Sequence, residues 1–187
     1  MNTIATKILE FLLSSSSPQN ISSISRHINT NYSNTYQNIM SMQELSISRL
    51  GNNSLISLKP SLTPLLYQAH HNRLEFYKKS QDIRNICRKV NKTPYPFVSI
   101  LLFGSRLDKQ TSNDIDICII CDNLAITKQI CDELETLTYS LDIHSFSVDQ
   151  FKQMISVKKS NLGNEIIHKN LVLKGLENYY ELLRCQN

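Results

Sequence analysis

Apolar residues recur at helical spacing from the start of the chain. Ile4, Ile8, Phe11 and Leu12 form one stripe and predict a helix from about Thr3 to Leu13. Ile21, Ile24 and Ile28 predict a second helix, closed by the turn residues Asn29-Thr30-Asn31. Ser33 is placed to cap a third helix reaching about Leu45, with Tyr36, Ile39 and Met40 facing inward. Two strand-like runs follow, Ser46–Leu50 and Leu55–Lys59. Gly51-Asn52-Asn53 between them tolerates the positive φ of a tight hairpin. Pro64 to Lys92 is helical in composition, as one long helix or a broken pair, and the prolines at 94 and 96 break it.

Beyond Pro96 strands and helices alternate. Phe97–Phe103 reads as a buried strand, and Ile115–Cys121 as another with Asp114 at its entrance. Ala125–Tyr139 reads as an amphipathic helix. Leu141–Ser147 alternates as a third strand. Val148–Ile155, Asn161–Lys169 and Gly175–Leu183 read as helices. The pattern predicts an α/β (α+β) chain: a helical front domain over 1–62, a helical connector over 63–93, and a small mixed sheet flanked by helices over 94–187.

Charge follows the same division. Residues 1–60 carry a net +2, residues 61–96 a net +5 and residues 97–187 a net −3. A basic front half suits either solvated helix faces or contact with nucleic acid. Three helices and a hairpin resemble a winged helix-turn-helix. That resemblance implies that the third helix enters the major groove of double-stranded DNA and the hairpin touches the backbone. Its outer positions would be Ser33, Asn34, Thr35, Gln37, Asn38 and Ser41; Asn and Gln can pair with adenine edges. The helix has no Lys or Arg, so phosphate charge would come from Arg26, Arg49, Lys59 and the following helices. Docking of a partner protein is the alternative use of such a domain, and homodimers are common among its DNA-binding forms.

The densest chemistry lies between residues 101 and 116. The strand Leu101-Leu102-Phe103 runs into Gly104-Ser105-Arg106 and an expected helix start. Glycine admits a ligand close to the backbone, and unpaired N–H groups favour phosphate. Asp114-Ile115-Asp116 follows. Residues two apart on a strand share a face, so both carboxylates point one way while Ile115 and Ile117 enter the core. Paired carboxylates repel unless a cation neutralises them, and hard oxygens suit Mg²⁺ held jointly with phosphates. Asp142 is a third acid on the next strand. If the two strands are neighbours the three acids converge on a site for two metal ions, with Asp142 a general base or a ligand. His144 shares the face of Asp142 and reads as a packed or surface histidine.

These residues resemble the DNA-polymerase-β-like nucleotidyltransferase superfamily, and within it the minimal nucleotidyltransferases. Their pattern is Gly-Ser, a loop, then Ser-Asp-Ile-Asp. Here it stands as Gly104-Ser105-Arg106 and, after the loop 107–111, Ser112-Asn113-Asp114-Ile115-Asp116. The resemblance covers about residues 90–187. It implies that Gly104 and Ser105, with Arg106 beside them, contact a triphosphate, and that Asp114, Asp116 and Asp142 bind two Mg²⁺ ions and carry catalysis. It implies transfer of a nucleoside monophosphate, AMP from ATP first among them, to a hydroxyl on a small molecule, an RNA or a partner protein. Antitoxin-type members modify a tyrosine of a partner toxin. Two departures stand out: the family often has Arg-Gly in the loop, and Asn113 is an extra residue before Asp114. The rival reading is a DNA-binding regulator whose second domain senses nucleotide or is inactive.

Five cysteines (87, 118, 121, 131 and 185) do not form a disulfide framework, and a reducing cytoplasm fits them. Cys118 and Cys121 have C-x2-C spacing but lie in an apolar strand without a second ligand pair, which favours packing over zinc. No run approaches the ~20 apolar residues of a membrane span. Glu10 interrupts the apolar stretch Ile8–Leu13, which does not read as a signal peptide.

Overall fold

The computed structural model describes residues 3–51, 53–108, 114–157 and 161–184. The chain has a mixed α/β architecture with two small sheets, and it divides into compact units at 1–73 and 74–187. Among the described residues no helix is long and apolar enough to cross a membrane.

The first unit runs α1 (Ile4–Ser14), β1 (Gln19–Asn20), α2 (Ile21–His27), α3 (Tyr32–Ser41), β2 (Leu45–Leu50) and β3 (Asn53–Leu58). Thr3, Asn20 and Asn31 each cap a helix by accepting a backbone N–H three residues on, which satisfies donors the helix cannot. Asn31 thus takes the capping place expected of Ser33. Asn29 adopts φ 53° between α2 and α3, a conformation asparagine tolerates well. The hairpin pairs Leu45 with Leu58 through Leu50 with Asn53, with Gly51 at φ 60° in the turn. β1 adds to the far edge of β3, giving the order β1-β3-β2. A two-residue strand is too short to leave a periodic signal.

The face of α3 differs from the expected one. Ile39 is buried, but Tyr36 and Met40 are 44% and 45% exposed. Thr35, expected outside, is fully buried, and its hydroxyl donates to the carbonyl of Asn31. Starting the helix two residues earlier does not by itself rotate it. What decides the face is that Thr35 and Ile39, four apart, take the inward stripe and push Tyr36 and Met40 off it.

The basic segment 63–93 forms α4 (Pro64–Tyr77) and α5 (Gln81–Val90), and the division between units falls within α4. In the first unit His70 is buried, and burial followed by the charge of Arg73 lowers its pKa to about 3.

The second unit holds α5, β4 (Ser99–Phe103), β5 (Asp114–Ile120), α6 (Leu124–Glu135), β6 (Ser140–Phe146), α7 (Val148–Ser156), α8 (Leu162–His168), β7 (Asn170–Lys174) and α9 (Leu176–Arg184). The sheet order is β6-β5-β4-β7. β4 is antiparallel to both β5 and β7, while β5 and β6 are parallel with α6 as their crossover. One sheet face carries Ile100, Leu102, Ile115, Ile117, Ile119 and Leu171 into a core completed by Ile83, Ile86 and Val90 of α5 and Ile130 and Leu134 of α6. That burial explains why α5 belongs to this unit despite its basic outer face. β7 was not anticipated. Its five residues follow directly on α8, and a strand buried on both faces has no alternation to betray it. Phe97, expected in the buried strand, lies before β4 and is 71% exposed.

Candidate active site

β4 is fully buried and ends at Phe103, which pairs with Asp116 of β5. β6 lies beside β5 in parallel, with Asp114 opposite Ser140, Asp116 opposite Asp142 and Cys118 opposite His144. Directly paired residues on adjacent strands project on the same side. The strands are neighbours and Asp116 and Asp142 meet across the sheet, but Asp114, expected to converge with them, is not in the cluster of ligand atoms. His144 joins them. Ligand atoms of Asp116, Asp142 and His144 all lie within 4.8 Å of one another, and His144 Nε2 is 3.3 Å from Asp142 Oδ2. The imidazole also rests against the Phe103 ring, with centroids 5.7 Å apart. Its placement beside the acids goes beyond the packed or surface role expected for it.

Asp114 stands one pair further out. It is exposed, and its Oδ1 accepts a 3.0 Å hydrogen bond from Ser140. Its charge still reaches Asp116. Burial, then the charge of Asp142, raise the Asp116 pKa; Glu165 and Asp114 add to this and His144 opposes it. Glu165 is an exposed residue of α8 that no sequence pattern linked to these acids. Four carboxylates thus share one field, which His144 partly offsets.

Gly104 closes the floor. Its φ is +74°, and an added Cβ would sit on the Asp116 carboxylate, 2.8 Å from Cγ and closer still to Oδ2. Only glycine lets β4 end against that side chain. Gly104→Ala should cost about 2–5 kcal/mol, combining a left-handed backbone with overpacking. Urea melts would show it as a lower midpoint, partly recovered in Gly104→Ala/Asp116→Ala. An unchanged midpoint would mean that the carboxylate does not lie over this glycine.

After Gly104 the chain makes a single 3₁₀ turn, Gly104–Leu107, in place of a longer helix. Ser105 is exposed beside the acids' end of the sheet. Arg106, expected to reach phosphate, is buried: its Nε and Nη2 donate to Asp82 Oδ2 at 3.0 and 2.7 Å, and Nη2 donates to Ser80 Oγ at 3.0 Å. Burial alone would raise Asp82, but hydrogen bonds from Ser80, Arg106 and the Ile83 N–H, with the Arg106 charge, hold its carboxyl below the ordinary value. The turn is thereby tied to the start of α5. Tyr77 donates to the Leu107 carbonyl at 3.0 Å, and Lys169 pairs with Asp108. The expected loop residues Ser112 and Asn113, and positions 109–111, lie outside the described residues, as does Cys185.

Cys118 and Cys121 are both buried, Cys121 in the core with Ile119 and Cys118 on the opposite sheet face. Burial raises Cys118 to about 12. In the first unit Arg26, Ser33, Asn34, Gln37 and Arg49 are exposed and Asn38 half-buried. Asn38 Nδ2 donates to the Asn34 carbonyl at 2.8 Å.

No family model, curated protein or solved structure matches the chain.

Proposed function

We propose that the second unit is a metal-dependent nucleotidyltransferase of the minimal type. The observation that carries this reading is the direct pairing of Asp116 with Asp142 over a glycine whose added Cβ would strike the Asp116 carboxylate. The donor set fits a divalent cation: carboxylate oxygens gathered closely enough that their repulsion, after burial, raises Asp116. Asp114, Asp116 and Asp142 would hold Mg²⁺ ions, which supply charge neutralisation of a triphosphate and acidification of the attacking hydroxyl.

In the reaction the acceptor oxygen bonds to the α-phosphorus of ATP or another NTP. The α–β anhydride bond breaks and pyrophosphate leaves with its electron pair. Asp142, whose side chain is 64% exposed, either takes the hydroxyl proton or holds the cation that acidifies it. Gly104 and exposed Ser105 offer backbone and hydroxyl contacts to the triphosphate. Arg106 acts one step back, by fixing the turn against Asp82. Calorimetric titration of ATP with Mg²⁺ and with chelator tests the reading without knowing the acceptor. Binding that requires Mg²⁺ supports it, and no binding in either condition refutes it.

For the first unit we infer a winged helix-turn-helix that binds double-stranded DNA. The order α1-β1-α2-α3-β2-β3, with the short strand on the outer edge of the hairpin, favours it. Arg26 and Arg49 are exposed to meet phosphate, and Ser33, Asn34 and Gln37 to meet base edges. Tyr32, Tyr36 and Met40 share α3 and are exposed as well, which suits a protein partner. Gel shifts at low salt separate the two uses. DNA binding should weaken steeply with salt and further in Arg26→Ala/Arg49→Ala. No shift even at low salt would leave protein docking as the role of this helix.

A further inference from the structure

We propose that His144 is a protein ligand of the metal site, and that its imidazole makes the site prefer Mn²⁺ over Mg²⁺. The inference rests on the nucleotidyltransferase reading and adds to it the class of cation. His144 is two residues beyond Asp142 on β6, so both project from the same face. The side-chain atoms of Asp116, Asp142 and His144 that could ligate lie within 4.8 Å of one another, the separation of donors that share one ion. Nε2 of His144, 3.3 Å from Asp142 Oδ2, is turned toward the acids.

The surroundings keep it there. The ring packs on Phe103, and the strand position opposite it is the buried Cys118. The side chain is 31% exposed, against 64% for Asp142, so it is held while one side stays open to the site. Gly104 supplies a second, independent constraint: its missing Cβ is what lets the Asp116 carboxylate lie at the site.

Donor chemistry then sets the choice. Mg²⁺ demands near-octahedral oxygen and gives up water reluctantly, imidazole suits the later first-row ions, and Mn²⁺ is the transition ion that shares the liking of Mg²⁺ for carboxylate, so a site with both donors leans from Mg²⁺ toward Mn²⁺.

Mn²⁺ added to the full chain is the probe. Paramagnetic resonance measures free and bound ion, and spin-echo modulation reports a directly bound nitrogen. Wild type should bind Mn²⁺ at least about tenfold more tightly than Mg²⁺ measured by competition, and should show nitrogen modulation. His144→Gln should lose the modulation and about tenfold in Mn²⁺ affinity, with Mg²⁺ affinity nearly unchanged. Bound Mn²⁺ without nitrogen modulation overturns the role of His144 even if the variant fails to fold. Equal losses of both ions in His144→Gln overturn it too. Either result leaves the nucleotidyltransferase reading standing if Asp116→Asn still releases the ion. Wild type that binds neither ion, with or without ATP, overturns both.

Discussion

Asp116→Asn/Asp142→Asn should lose Mg²⁺-dependent ATP binding by about a hundredfold, roughly 2.7 kcal/mol. The same variant should melt no lower than wild type. The two expectations come from one cause. Asp116 and Asp142 are direct cross-strand partners, and the pKa of Asp116 is raised by burial and by its neighbours' charge. A carboxyl whose folded pKa is raised opposes folding once it ionises, so at neutral pH these charges cost stability. Asparagine keeps the shape and removes the repulsion. Only a bound cation, with the phosphates it carries, turns that repulsion into affinity. Calorimetry and thermal melts on the same samples decide the matter. Undiminished ATP binding would remove these acids from the site. A large fall in melting temperature would give them a structural role in place of a catalytic one.

Arg106→Met should destabilise the second unit by about 3 kcal/mol, because it strands a largely buried carboxylate. The Arg106 and Asp82 side chains are only 6% and 17% exposed, and the pair carries two hydrogen bonds. Asp82→Leu/Arg106→Met should recover much of the loss, since no unpaired charge then remains. The pH dependence has a definite sign. The folded pKa of Asp82 lies below its ordinary value, so its stabilisation is present above the ordinary carboxylate pKa. It is lost as pH falls through the depressed value, and that part of the acid slope should disappear in Arg106→Met. Denaturant melts across pH measure both effects. Unchanged stability with weakened ATP binding would return Arg106 to the phosphate role expected from its neighbours in sequence.

Arg106 shows what one-dimensional reading leaves out. Beside Gly104 and Ser105 it reads as a phosphate ligand. In the structure it pairs with Asp82, more than twenty residues earlier in a segment that the sequence presented only as basic and helical. Thr35 and Tyr36 make the same point on α3. Both fit a helix, but which of them faces inward depends on the elements packed against it. Glu165 is the extreme case: an ordinary helical glutamate that gains meaning only because α8 brings it within reach of Asp116.

What the sequence determined alone were the properties that depend on neighbours along the chain. The two-residue period of Asp114-Ile115-Asp116 settles that its acids point away from the core, and that of Asp142-Ile143-His144 that those two residues share a face. The turn chemistry of Asn29 and Gly51, the existence of the helices and the small mixed sheet were likewise legible, because propensity and period act over a few residues. Tertiary structure decided everything that depends on which strands are adjacent and how they are aligned. A shift of one residue between β5 and β6 would reverse every side chain and part Asp116 from Asp142. The buried strand β7, the fit of Asp116 over Gly104, the approach of His144 and the capture of Arg106 all follow from that alignment and from packing between segments far apart in the chain.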